Sequence, residues 1–268
     1  MKYGIAAATA AICMSASAAV TSDVELCGSY ISNSEFQLAV KPCTAAAEQG
    51  DVRAQVGLGL MYYNGDGVVQ NYAETVRWYR AAAEQGFAIA QFSLGGMYIN
   101  GDGVVQNFAE AVRWYRAAAE QGDVRAQSIL GVMYELGQGV EQDYAEAVRW
   151  YRAAAEQGDA SAQFSLGGMY INGDGVVQNF AEALRWYRAA AEQGDVRAQS
   201  NLGVMYYNGD GVVQNYEIAH MWYNIAAANG FDEGAKKRNR IAEKMTAEQI
   251  VEAQDRAQKC MASNYTDC

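Results

Sequence analysis

Residues 101–128 read "GDGVVQNFAEAVRWYRAAAEQGDVRAQS", and residues 173–200 repeat the string with one change, Leu184 in place of Val112. Looser copies lie before, between and after these two. Tryptophan marks the step, standing at 78, 114, 150, 186 and 222, always 36 residues apart. The pairs Gly65/Gly67, Gly101/Gly103, Gly137/Gly139, Gly173/Gly175 and Gly209/Gly211 keep the same stride, as do the segments ending in Gly86, Gly122, Gly158, Gly194 and Gly230. A fixed period of about 20–50 residues is the mark of stacked repeat units. Five units fit: 51–86, 87–122, 123–158, 159–194 and 195–230.

Each unit reads as two helices. In the second, Asn107 precedes Phe108 and Glu110 follows three positions later, the spacing of a capping box that satisfies free amides at a helix start. Asn71/Glu74, Asp143/Glu146 and Asn179/Glu182 repeat it, and Asn215 is followed by Ile218 instead. Phe108, Ala111, Val112, Tyr115, Ala118 and Ala119 then form an apolar stripe at helical spacing. Glu110 and Arg113 stand three apart, acid first, the favourable order for an ion pair. Gly122 supplies a left-handed C-cap. The first helix runs from about Arg53 to Tyr63, with Asp123 or Asp195 able to cap its equivalents. "NGDGVVQN" turns the chain between the two helices. Such a hairpin cannot bury its apolar face alone and must stack on its neighbours.

Composition agrees. Pro42 is the only proline, and abundant Ala, Glu, Gln and Arg favour helices. The formal charge of −11 repels a phosphate backbone, so nucleic acid is not an expected partner. "MKYGIAAATAAICMSASAAV" has the form of an export signal: Lys2, a short apolar core from Tyr3 to Met14, and a small-x-small cleavage site at Ala16-Ser17-Ala18. Cleavage is expected near Ala18 or Ala19, with the product periplasmic or secreted. No segment is apolar over the ~20 residues a stable membrane span needs. Export removes Cys13 and leaves Cys27, Cys43, Cys260 and Cys268 in an oxidising compartment, where two disulfides are expected.

The repeat resembles the Sel1-like repeat, a relative of the tetratricopeptide repeat. In the second unit the resemblance rests on Ala90, Leu94-Gly95, Tyr98, Gly101-x-Gly103-Val104, Ala109, Ala111, Trp114-Tyr115, Ala118-Ala119 and Gly122, and it spans 51–230. It implies an all-α, right-handed superhelical solenoid that serves other proteins as an adaptor or scaffold. The organisation is then a signal at 1–19, an N-terminal cap with a partial repeat at 20–50, the five repeats, and a helical cap at 231–268. In the N-terminal cap Pro42 takes the place of the tryptophan and should kink the helix or start a new one. In the C-terminal cap Thr246 and Gln249 form a further capping box, ahead of an amphipathic stripe of Ile250, Ala253, Ala257 and Cys260. Five stacked hairpins would hold the chain ends tens of ångströms apart, at helix spacings of about 8–10 Å. The expected pairings are therefore Cys27–Cys43 and Cys260–Cys268.

Comparing the units within the chain separates two faces of the first helix. Gln55, Leu58, Gly59 and Tyr62 recur in every unit and read as packing. The changing positions read as a surface: Arg53, Val56, Leu60 and Tyr63, then Ile89, Phe92, Gly96 and Ile99, Arg125, Ser128, Val132 and Glu135, Phe164 and Ile171, and Arg197, Ser200, Val204 and Tyr207. In related solenoids the first helices line the concave side, so these residues are the candidate groove for a peptide or a protein helix. The alternatives are drift at untouched positions, or Phe92 and Phe164 packing on their own second helices.

Catalysis has little to stand on. His220, the only histidine, takes a slot held elsewhere by Val76, Val112, Val148 and Leu184, and reads as core. Asp66, Asp102, Asp174 and Asp210 give one carboxylate per loop, whereas calcium wants about six to eight oxygens. No nucleophile elbow, zinc motif or phosphate loop is present, so no enzyme activity, cofactor or metal is expected. Cysteine-rich exported members of the resembled family are linked to penicillin binding and hydrolysis, which leaves a cell-envelope enzyme or binder acting on peptidoglycan or β-lactams as the alternative function. Their cysteines bridge the helices inside each unit, and units 1 to 5 here have none. Lys236, Lys237, Arg238 and Arg240 form a positive run that reads as a solvated helix face. The tryptophans read as core, reaching toward the neighbouring hairpin.

Overall fold

A computed structural model describes residues 23–265 and 268. The export-signal reading lies outside the described residues. All regular structure among them is helical: α1 over 23–32, then α2 (Phe36–Glu48), α3 (Val52–Asn64), α4 (Tyr72–Glu84), α5 (Ala88–Asn100), α6 (Phe108–Glu120), α7 (Val124–Leu136), α8 (Tyr144–Glu156), α9 (Ala160–Asn172), α10 (Phe180–Glu192), α11 (Val196–Asn208), α12 (Tyr216–Ala228), α13 (Asp232–Ala242) and α14 (Ala247–Ala262). The described chain divides into two compact units, with the boundary between Ala126 and Gln127, within α7.

Capping accounts for the regular helix lengths. Asn71, Asn107, Asp143 and Asn179 each accept from the second and third amides of the helix they precede, and Asn215 accepts from Ile218 N–H. The reciprocal half of the expected capping box does not form there. Asn107 N–H donates to Tyr98 O at 3.0 Å, closing the loop, and the Glu110 carboxylate turns to Arg113 at 3.3 Å. Among the described helix starts both halves are present at Thr246 and Gln249, where no such loop claims the cap amide. At the helix end Gly122 takes φ +91°, while its N–H donates to Ala119 O and Asp123 N–H donates to Ala118 O, a Schellman closure. The first helices start on aspartates, as Asp51, Asp123, Asp159 and Asp195 show, but Phe87 offers α5 no side-chain acceptor.

The first and second helices of a hairpin pack through a glycine. Gly95 is buried, and a Cβ there would lie 2.8 Å from the Tyr115 ring, so only glycine lets the two backbones approach this closely. The indoles then join hairpin to hairpin. Trp78 is buried with Cys43, Ala46, Leu58 and Met61 of α2 and α3, and Trp114 with Val76, Tyr79, Leu94 and Met97 of α4 and α5. Trp222 meets Tyr187, Ala190 and Leu202 in the second unit. On the outside, an arginine one residue earlier lies over each of four indoles, Arg77 at 4.6 Å from Trp78 being typical.

Buried glutamines add a polar thread. Gln55 Nε2 donates to Ala47 O, and Gln55 Oε1 accepts from Gln85, which joins the preceding helix, the first helix and the end of its partner. Gln91 repeats this with Ala83 and Gln121. In the second unit Gln163 and Gln199 do the same, the last using Asn229 as donor. A buried amide of this kind holds register, because one residue of slip would orphan both its ends.

At the N-terminal end, α2 runs through Pro42 as one helix, and no new helix starts there. The amide that proline lacks would have bonded Leu38 O, and Leu38 is exposed, so water can serve that carbonyl. A disulfide joins Cys27 to Cys43, with Cα atoms 4.7 Å apart and both residues buried in the α1–α3 cluster. A second joins Cys260 to Cys268. His220 is 1% exposed. Burial lowers its pKa, and the nearby Arg238 guanidinium lowers it further.

Candidate partner-binding surface

The changing positions of the first helices build recurring pockets. In the first unit a concavity of about 260 Å³ is walled by Leu60 and Tyr63 of α3 and by Phe92, Ser93 and Gly96 of α5. Its floor is Tyr79 and Tyr115 of the second helices, and Asn100 and Asp102 close one end. Burial of these two tyrosines raises each pKa to about 12, so both hydroxyls stay protonated near neutrality and can donate hydrogen bonds. In the second unit Glu135, Phe164, Ser165, Gly168, Asn172 and Asp174 line a smaller concavity of about 150 Å³. Each of these positions lies 72 residues after its counterpart, two repeat strides, with Glu135 standing where Tyr63 stood.

These two pockets share a small residue at one lining position. Gly96 and Gly168 place no side chain beside the Tyr115 and Tyr187 hydroxyls, which a Cβ would meet at 3.6 and 3.7 Å. The neighbouring units carry Leu60, Val132 and Val204 at that position.

The surface residues read from the sequence do not share one environment. Leu60, Tyr63 and Phe92 come together in one pocket, and Glu135 and Phe164 in the other. Phe92 and Phe164 also pack on their own second helices, with ring centroids 5.6 Å from Tyr115 and Tyr187. Arg125 and Arg197 belong beside them. Their guanidiniums lie over the Phe92 and Phe164 rings at 4.0 and 4.2 Å, held by Asp123 and Asp195. Glu135 accepts from the Tyr151 hydroxyl at 2.6 Å. Val56 and Ile171 turn to packing, and Ile99 is half-buried beside its carbonyl's bond to Gln106. Arg53 is exposed outside the pocket. Tyr207 stacks on Tyr216 and receives a hydrogen bond from Lys244 at 2.5 Å.

Sequence reasoning missed the tyrosine floor, because Tyr79 and Tyr115 sit on the core stripe. The available signal was Gly96 and Gly168, four residues after each phenylalanine. It also missed Lys237 and Arg240, which line a third pocket.

Helical hairpins stacked through periodic indoles, with variable residues on the first helices, define an α-helical repeat solenoid. The chain belongs to the Sel1 repeat family, which it matches at 52–87, 88–123, 124–159, 160–195 and 196–231. It is similar to a Sel1 repeat protein from Oxalobacter formigenes, at 36% identity and a TM-score of 0.72 over 79% of this chain and 85% of that one. It is also similar to c5321, a protective antigen of uropathogenic Escherichia coli strains displaying an SLR fold. There the identity is 31% and the TM-score 0.55, over 86% of this chain and 58% of that one. No curated protein matches the chain.

Proposed function

We propose that this Sel1 repeat protein is an exported, non-enzymatic adaptor that holds a peptide or protein segment on its first-helix face. Sel1 repeat proteins generally act as protein-interaction scaffolds. The observation that carries the reading is the recurrence, two strides apart, of a pocket with a phenylalanine wall, a glycine opening and a polar Asn–Asp end. A chain laid across it would find an apolar socket beside fixed hydrogen-bond donors and acceptors, which is how a groove reads side chains. In this reading residues 1–19 direct export, and 20–50 and 231–268 cap the repeats.

The test fills the sockets. Gly96→Leu with Gly168→Leu should leave the far-ultraviolet circular dichroism unchanged and abolish recovery of the partner found by crosslinking and mass spectrometry in the host. Tyr63→Ser with Phe92→Ser and Phe164→Ser should do the same by removing the walls. Unchanged recovery by folded variants would end the reading. Turnover of nitrocefin by the purified mature protein would favour an enzyme instead. A mature N-terminus other than Ala19 or Val20 would contradict the export site.

A further inference from the structure

The third pocket differs from these two above all in its charge. It lies wholly in the second unit, has a volume of about 190 Å³, and is lined by Val204 and Tyr207 of α11, Tyr223 of α12, and Lys237, Arg240 and Ile241 of α13. Four strides of 36 residues place Lys237 on the Ser93 position, Arg240 on Gly96 and Ile241 on Met97. The last pocket is thus built on the plan of the first, with a serine and a glycine replaced by two cations. The carboxylates that close the other pockets, Asp102 and Asp174, come from the loop after the first helix. No residue lining the third pocket is acidic.

We propose that this pocket receives the C-terminal residue of a partner polypeptide, its free carboxylate between Lys237 and Arg240 and its apolar side chain against Val204, Tyr207 and Ile241. The inference rests on the adaptor reading and names the chemistry of one end of the bound segment.

Charge complementarity selects the occupant. On a chain of net charge −11, Lys237, Arg240 and Lys244 crowd one end of the first-helix face. Lys237 and Arg240 are one turn apart on α13, so both can reach one carboxylate. Arg240 is exposed and has no partner among the described residues. The ammonium of Lys237 lies 3.2 Å from Ser200 Oγ, a neutral partner that does not discharge it. Lys244 is held at the rim by the Tyr207 hydroxyl and lies 4.8 Å from that ring's centre. Glu233, on the same helix, is engaged by Lys236. Burial raises the Tyr223 pKa to about 12, so its hydroxyl stays neutral and does not repel an anion.

Position points to a chain end rather than an internal acidic side chain. The space equals that of about six liquid waters, enough for one apolar side chain with its carboxylate. No further first-type helix follows α13 among the described residues, since α14 packs against α12. A segment lying along this face would therefore stop here, and a carboxylate at its end meets two cations.

The test is nuclear magnetic resonance on the full mature chain with N-acetyl-Ala-Leu as the free acid and as the carboxamide, each raised to about 10 mM, a range that reads even weak fragment affinity. The free acid should shift the amides of Tyr207, Lys237, Arg240 and Ile241. The carboxamide should bind roughly tenfold more weakly or worse, the scale of a charge-assisted hydrogen bond. Arg240→Ala and Lys237→Met, each verified as folded by circular dichroism, should weaken the free acid by a similar factor. Equal binding of acid and amide, or no shift from the acid, would overturn the proposal. So would inorganic phosphate or N-acetyl-Glu amide shifting the same residues as strongly, since either shows a general anion or acidic side-chain site. The Gly96→Leu and Gly168→Leu variants should bind the free acid normally, so failure here and failure of the adaptor reading are distinguishable.

Discussion

The indoles offer the sharpest test of how hairpins hold one another. Trp114 is 7% exposed and packs on Val76, Tyr79, Leu94 and Met97, yet its Nε1 is buried without a hydrogen-bond partner among the described residues. Its contribution is therefore one of area and shape. A buried aromatic removes about 150–250 Å² from water, which at ~25 cal/mol per Å² comes to about 4–6 kcal/mol. Large-to-small substitutions of this type cost about 3–5 kcal/mol, so Trp114→Ala should fall in that range. Trp114→Phe keeps most of the ring and removes an unsatisfied donor, whose burial itself costs about 1–3 kcal/mol. Its net loss should be no more than about 1–2 kcal/mol. Urea titrations followed by circular dichroism give both values, with hydrogen exchange locating the loss. Because each hairpin is stabilised through its neighbours, exchange should accelerate first in α4–α6. If Trp114→Phe costs as much as Trp114→Ala, the indole contributes through more than area and shape. If Trp114→Ala costs less than about 1 kcal/mol, the indoles do not join the hairpins.

Adjacent glycines should respond oppositely. Gly95→Ala forces a Cβ to within 2.8 Å of the Tyr115 ring and should cost about 1–3 kcal/mol. Gly96→Ala meets only the Tyr115 hydroxyl at 3.6 Å and should be neutral, or stabilising by up to about 1 kcal/mol through helix propensity, both read as urea midpoints. His220 has a folded pKa below its unfolded value of 6.5, so the folded state binds the proton less readily. Its contribution to stability is full above about 6.5 and is lost as pH falls below that toward the lowered folded value. Comparing urea midpoints at neutral and mildly acidic pH should show that loss in the natural chain, and a smaller one in His220→Val. Cys27→Ser with Cys43→Ser opens a closure of 16 residues and should cost about 3 kcal/mol, lowering the midpoint of the first unit in a thermal melt.

Much of the local structure was legible before any coordinates, because it depends on near neighbours in the chain. Tryptophans at a constant stride, cap residues such as Asn107 and Asp195, and Gly122 after the apolar stripe each act within a turn or two. The ion pair of Glu110 with Arg113 was legible for the same reason. The capping box failed at Asn107 because its amide was already committed to Tyr98, nine residues away, across a loop whose closure no local pattern announces. The pockets were legible only in part: Leu60, Tyr63 and Phe92 read as surface, but which of them meet depends on different helices. Whether Gly96 opens onto anything depends on Tyr115 standing behind it and Tyr63 beside it. Lys237 and Arg240 were harder still, since Arg238 occupies the position of Leu94 and hides the register of α13. Sequence alone thus determined the hairpin and its repetition, through contacts that local spacing dictates. Tertiary packing decided which faces close and which stay open, because that depends on the side chains a neighbouring helix brings.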